Sequence, residues 1–265
     1  MKKYSFSGFP KYCHSKASTR KIEKAAIDDL DIAELTLMQR AGKAAAKIIK
    51  NRYNLKGRNI FIFCGHGNNG GDGYVLANLL HKERFKVIII QLGDVNKQSD
   101  AASEARDFAI DHGAEELTAN DDFAISRDDL IIDAMLGIGL TGNVRQEYAE
   151  NIEKINQTKA KIVSLDIPTG LCADTGKILG SCIKADLTVS FITLKQGMLL
   201  GSGREYCGKI EYNNLDLYPE LFEEIPGEFE IINLKEITKI LPKRKTNCHK
   251  GDFGHILVIG GNENM

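Results

Sequence analysis

The chain has no excess of charge of either sign. Its 265 residues carry 35 Lys+Arg against 36 Asp+Glu, a formal net charge of -1. That balance leaves no electrostatic footprint for gripping nucleic acid or an anionic membrane. Long apolar runs are also missing: stretches such as Val87-Ile88-Ile89-Ile90 fall far short of the roughly 20 residues a membrane span needs. The opening Met1-Lys2-Lys3-Tyr4-Ser5-Phe6 lacks the apolar segment of roughly 7–15 residues that marks a secretory leader. No C-x-x-C pair occurs among the cysteines at 13, 64, 172, 182, 207 and 248, so they read as reduced thiols, with neither a disulfide frame nor a zinc site. No repeat or low-complexity tract is visible. These absences describe a soluble, cytoplasmic protein without nucleic-acid or membrane partners.

What is present is ordinary for a globular protein, with 43% hydrophobic and 27% charged residues. The length falls between one large domain and two modest ones. From Ser18, a candidate helix N-cap, Ile22, Ala25, Ala26 and Leu30 recur at helical spacing. Leu35, Met38, Ala41, Ala45, Ile48 and Ile49 form a second apolar stripe, with Lys43, Lys47 and Lys50 outside it. Strands and helices then alternate. Strands are predicted at 60–64, 86–92, 130–134, 162–167, 187–193 and 209–212, and helices after the first strand and over 99–112 and 146–156. Short apolar β runs separated by helices indicate βαβ units. The predicted fold is a Rossmann-like three-layer α/β/α sandwich with a mostly parallel sheet.

The tail reads differently. Pro219, Pro226 and an acidic stretch over 220–230 precede a short helical pattern to 241, the basic run 243–245, and a strand-like run over 255–261 ending in Gly-Gly. The expected division is residues 1–240 as one domain with its trailing linker, and 241–265 as the incomplete start of a second.

Three loops at predicted strand ends carry the chemistry. Gly65-His66-Gly67-Asn68-Asn69-Gly70-Gly71-Asp72-Gly73 follows a strand and opens a helix. It satisfies G-x-G-x-x-G, and Asp94 lies near the end of the next strand, where a dinucleotide fingerprint places its ribose-binding acid. Asn68, Asn69 and Asp72 crowd the turn, however. Asp72 would repel a pyrophosphate resting there, and is either a helix cap or a hydrogen-bonding group for a sugar. The second loop, Asp133-Ala134-Met135-Leu136-Gly137-Ile138-Gly139-Leu140-Thr141-Gly142-Asn143, repeats the glycine pattern, and Asp133 is either a turn former or a ligand group. Two such loops should face one crevice. The third is Asp166-Ile167-Pro168-Thr169-Gly170-Leu171. Asn69, Asp133 and Thr169 together offer oxygen ligands only and one full negative charge, which suits a monovalent hard cation better than a divalent one. Lys195 either reaches the crevice or is solvated. His14, His81 and His112 read as surface positions, and Cys64 as a small buried hydrophobe.

These loops, with Leu37-Met38-Gln39-Arg40-Ala41-Gly42 and Lys195-Gln196-Gly197, closely resemble the NAD(P)H-hydrate epimerases over roughly residues 16–215. The tail over 243–261 resembles the opening of the ADP-dependent NAD(P)H-hydrate dehydratase (ribokinase-like) domain. The resemblance implies a nicotinamide-cofactor repair isomerase that interconverts R and S epimers of hydrated NADH and NADPH (NADHX and NADPHX). The companion dehydratase (a lyase) would act in cis or in trans and be missing from this polypeptide. By resemblance, Asn68, Asn69, Gly70, Gly71 and Asp72 hold the substrate. So do Gly137, Ile138, Gly139, Leu140, Thr141, Gly142, Asn143 and Asp166. Asn69, Asp133 and Thr169 would bind K+. Asp166 is the candidate for stabilising a cationic intermediate or shuttling a proton, with Lys195 the second candidate catalytic residue. An NAD-dependent oxidoreductase, resting on the glycine pattern and Asp94, and a non-catalytic RNA- or protein-binding scaffold of the same fold are the alternatives. A homo-oligomer is compatible with the sequence.

Overall fold

The computed structural model describes residues 10–232 and 234–240, together with 247, 249, 251, 255 and 257. The chain divides into two units, Met1–Ile231 and Ile232–Met265. In the first unit, the elements run β1 (Tyr12–His14), α1 (Lys16–Asp28), α2 (Glu34–Arg52), β2 (Asn59–Cys64), α3 (Asn68–Lys82), β3 (Lys86–Gln91), α4 (Asp100–Asp111) and β4 (Glu115–Thr118). They continue with β5 (Leu130–Ala134), α5 (Gln146–Gln157), β6 (Lys161–Leu165), β7 (Leu187–Phe191), β8 (Leu194–Lys195), α6 (Gly203–Tyr206), β9 (Lys209–Asn213), α7 (Pro219–Glu224) and β10 (Phe229–Glu230). In the second unit, α8 (Leu234–Ile240) is the described helix. The strand-like run over 255–261 falls almost wholly outside the described residues.

Seven strands form one sheet in the order β4-β3-β2-β5-β6-β7-β9, every pair of them parallel. A parallel sheet must be covered on both faces, and strand alternation does so here. Ile60, Ile62 and Cys64 of β2 point into a core shared with Ile22, Met38, Ala45 and Leu76. Phe61 and Phe63 of the same strand point into another, with Tyr148, Ile152 and Ile155 of α5. The chain leaves β2 toward β3 and β4, then returns to place β5 on the other side of β2. The strand order therefore reverses between β2 and β5, and ligands of open α/β sheets bind outside the strand ends at such a switch point.

Several elements differ from the expectation. Ser15, not Ser18, caps α1, and its hydroxyl accepts from the Ser18 N–H. Leu30 lies beyond the helix and is exposed. The strand predicted over 162–167 ends at Leu165 because Asp166 turns to φ 63°. The strand predicted over 187–193 is two: Ile192 at φ 62° breaks it, leaving β7 in the large sheet and β8 in a three-stranded sheet ordered β10-β1-β8. β4 went unpredicted because its sequence, Glu115-Glu116-Leu117-Thr118, is an edge strand with no apolar run. His14 is buried rather than superficial, its Nε2 3.3 Å from the Ile225 carbonyl oxygen.

Candidate functional site

A crevice of about 460 Å3 opens at the switch point, within the range of small-molecule sites. Its first wall is the β2–α3 connection. Gly67 caps α3 with extended backbone and no side-chain hydrogen bond, so the first-turn N–H groups are left without a side-chain acceptor. The turn is tight enough to need glycine. A Cβ at Gly65 would lie 1.9 Å from the Met135 carbonyl oxygen, and one at Gly70 1.9 Å from that of Gly65. Asn68 and Asn69 line the crevice, whereas Gly70 and Gly71 face inward, Gly71 toward Met38 of α2. Asp72 is inside α3 and so is not its N-cap. It lines the crevice, and burial, followed by the charges of Asp166 and Glu23, holds its carboxyl well above the usual carboxylate range.

The second wall is the loop after β5. Gly137, Ile138, Gly139, Leu140, Thr141 and Asn143 line the crevice, and Gly142 lies outside the lining with φ 75°. Lys16 of α1 holds this loop, its Nζ donating to the carbonyls of Gly139 and Leu140 at 3.2 Å each. Beneath it, Asp133 is fully buried. Its carboxylate accepts from the Ser164 hydroxyl (2.7 Å), the Thr169 hydroxyl (2.6 Å), and the N–H groups of Thr169 (2.9 Å) and Met135 (3.3 Å). Burial pushes its carboxyl up, and these hydrogen bonds offset part of that.

Asp133 and Thr169 are thus in direct contact, and Thr169 Oγ1 also meets the Leu136 N–H (3.0 Å) and carbonyl (3.2 Å). Asn69 sits against the neighbouring Gly137, where a Cβ would lie 3.3 Å from its own. The Asn69 side chain is buried, yet among the described residues neither its Oδ1 nor its Nδ2 has a partner.

Asp166 directly follows β6 and faces the crevice. Its Oδ1 accepts from the Lys195 ammonium, and its Oδ2 lies 3.3 Å from the Ile138 N–H. Lys195 is not solvated: it is 0% exposed and also donates to the Phe191 carbonyl (2.8 Å) and the Ser190 hydroxyl (3.2 Å). The carboxylate thereby gains a buried counter-ion while staying open to the cleft. Asp94 takes no part. It caps a turn through Asn96, whose amide hydrogen bonds lower its pKa, and it lies outside the crevice lining.

Sequence reasoning missed Thr19, Arg20 and Glu23 of α1 and Glu34 of α2, all of which line the crevice. The signal for α1 was the apolar stripe, which says nothing of the polar residues beside it. The buried Thr19 hydroxyl, 2.7 Å from that of Thr193, ties this face of α1 to the segment leading into Lys195.

A parallel sheet covered on both faces, with a polar crevice at its switch point, defines the Rossmann-like class of α/β proteins. Residues 34–197 match the family described as YjeF-related protein N-terminus. A bifunctional NAD(P)H-hydrate repair enzyme of Coxiella burnetii is 35% identical over 93% of this chain and 50% of its own length. An NAD(P)H-hydrate epimerase of Legionella pneumophila is 33% identical over 74% of this chain and 75% of its own. The crystal structure of yeast YNL200c superposes with a TM-score of 0.70 at 19% identity, covering 83% of this chain and 95% of that one, and so shares the fold. The chain belongs to the YjeF-related N-terminal family. It spans about half the length of the bifunctional relatives it matches.

Proposed function

We propose that this chain interconverts the R and S epimers of NADHX and NADPHX at nicotinamide C6, a cofactor-repair step that feeds an ADP-dependent dehydratase. The observation that carries the reading is Asp166, which lines the crevice and is paired with the buried Lys195 ammonium. C6 bears a hydroxyl and is bonded to N1, so the nitrogen lone pair can expel the hydroxyl and leave an iminium-like cation. Water then returns to either face. Such a reaction needs a fixed anion where positive charge develops. Asp166 supplies it, oriented by Lys195 and the Ile138 N–H. We assign the dinucleotide to the start of α3, which lacks a side-chain cap, and to the loop over 137–143. The names of the relatives support this substrate class.

We assign K+ to the oxygen-only set of Asn69, Asp133 and Thr169, a reading supported by the Asn69 Oδ1 that has no partner among the described residues. The ion would supply fixed positive charge and brace the three loops that carry Asn69, Asp133 and Thr169. Residues 241–265 are assigned to the start of the dehydratase domain.

The test is chromatographic separation of R- and S-NADHX, following return to equilibrium from one purified epimer with and without the protein. We expect acceleration that depends on Asp166, with Asp166→Asn losing about 1,000-fold or more at temperatures below its own melting transition, which falls because the buried Lys195 ammonium loses its partner. An unchanged rate in that variant would overturn the role of Asp166.

A further inference from the structure

The geometry points to Glu23 of α1 as the proton donor to the departing hydroxyl, acting together with Asp166; the inference rests on the proposed epimerisation. Loss of water from one face of the ring and its return to the other require two proton transfers. A proton must reach the leaving oxygen on the first face, and one must be removed from the arriving water on the second. A carboxyl fixed on one side of the ring serves one face, so two groups carried by different elements are needed. Asp166 fits the acceptor role in this direction, because its carboxylate, held by the Lys195 ammonium and the Ile138 N–H, has lone pairs left to take a proton.

The crevice holds four other candidates: Glu23, Glu34, His66 and Asp72. The Glu34 carboxylate is engaged by the Asn68 amide, and His66 Nδ1 by the Tyr148 hydroxyl at 3.1 Å. Asp72 belongs to the closely packed α3 wall, where burial holds its proton most firmly. Glu23 differs. Among the described residues its carboxyl makes no hydrogen bond and no ion pair, and it lies one helical turn after Thr19. The Thr19–Thr193 hydroxyl contact anchors that turn beside the Lys195 segment. The charged groups around Glu23 are Arg20 from α1, Glu34 from α2, Asp72 from α3, Asp166 after β6 and Lys195 of β8. Burial first, then the charges of Asp166 and Glu34, raise its proton affinity, opposed by Lys195 and Arg20. Two carboxyls in one cleft, one free of hydrogen bonds among the described residues and one paired with the Lys195 ammonium, make an acid and base pair.

In the step, the C6–O bond breaks as the N1 lone pair forms the C=N bond. The oxygen leaves as water with the Glu23 proton. A water then forms a C–O bond on the opposite face of C6, the C=N pair returns to N1, and the proton lost by that water passes to Asp166. Exchange with solvent restores the proton to Glu23 and removes it from Asp166. In the opposite direction the two carboxyls exchange roles.

The test compares wild type, Glu23→Gln, Glu23→Asp and Asp72→Asn in the NADHX exchange assay across pH, with melting temperatures as the folding control. We expect Glu23→Gln to lose at least about 100-fold in kcat, with KM within about twofold and no loss of melting temperature. Wild-type kcat should fall on the alkaline side as Glu23 loses its proton. Glu23→Asp should recover part of the rate and keep that limb, and Glu23→Gln should lack it. Wild-type rates in Glu23→Gln, or a loss confined to KM with the alkaline limb intact, would overturn the assignment. So would a limb that survives in Glu23→Gln and vanishes in Asp72→Asn. A wild-type protein that leaves the exchange unaccelerated overturns the proposed function and this assignment together, whereas acceleration by wild type and Glu23→Gln alike overturns only the assignment.

Discussion

The two glycine loops of the crevice read alike as sequence and are built for different work. Gly65 and Gly70 of the first are pressed against backbone, each within 1.9 Å of a carbonyl oxygen if a Cβ were added. Gly139 and Gly142 of the second stand in open space, with the Arg20 guanidinium 3.8 Å from a Cβ on Gly139 and nothing near one on Gly142. The first loop is thus part of the packed interior, where glycine permits α3 to start directly on the sheet edge. The second is a surface strap held by side chains from elsewhere, Lys16 above and Asp166 below. Gly65 and Gly70 act as packing constraints and Gly139 and Gly142 as adaptable points, while Gly67 stands open in the first loop and a Cβ on Gly137 of the second would lie 3.0 Å from Asp166 Oδ2.

The severest way to test the difference is to cut what joins the second loop to the core. Asp166 bridges Lys195 and the Ile138 N–H, and the Lys195 and Asp166 side chains are 1% and 15% exposed. Lys195→Met leaves that carboxylate without its counter-ion. Breaking such a pair costs about 3–5 kcal/mol, and epimer exchange should fall with it. Denaturant unfolding alongside the exchange assay checks both; wild-type stability would show that the pair is not holding the site. The glycines come next. Gly70→Ala should cost about 3 kcal/mol, because the backbone it meets cannot yield cheaply, whereas Gly139→Ala should stay within about 0.5 kcal/mol. Equal losses in the two variants would erase the distinction between the loops.

How far the site was legible follows the same division. Strand ends and glycine spacing carry the β2, β5 and β6 loops, because hydrophobic period and turn chemistry are local. The α1 contribution was not legible, since nothing in Thr19-Arg20-Lys21-Ile22-Glu23 says that Thr19 meets Thr193, 174 residues away. The fate of Lys195 was equally hidden. It follows a strand and a break at Ile192, and only the three-stranded sheet, pairing His14 with Lys195, carries it inward. Asp94 shows the converse error, where spacing suggested a ribose ligand and the local Asn96 amide claimed the carboxylate instead.

A milder perturbation acts on the strap alone. Lys16→Met removes two donations to the Gly139 and Leu140 carbonyls, a loss of about 1 kcal/mol. We expect faster amide exchange in the loop over 137–143, a KM raised several-fold, and no change in the loop over 65–73. Equal loosening of both loops would mean that Lys16 braces the whole crevice.

The smallest effect should come through the anchor of α1 itself. Glu228, just before β10, accepts from the Ser15 N–H (2.6 Å) and from the hydroxyls of Ser15 and Ser18. These hydrogen bonds outweigh a partial burial that raises its pKa and bring the carboxyl down to about 2. A depressed folded-state value means that the stabilisation is fully present above the ordinary carboxylate pKa and is lost as pH falls from about 4.5 toward 2. Because the carboxylate is exposed, solvent screening limits the contribution to about 1 kcal/mol. Wild type should therefore exceed Glu228→Gln in unfolding free energy by that amount at pH 7, and the gap should close toward pH 3. Since Ser15 caps the helix that carries Lys16, the same acidification should loosen the amide of Leu140 before that of Gly71. A gap independent of pH would place the effect in packing rather than in the charge of Glu228.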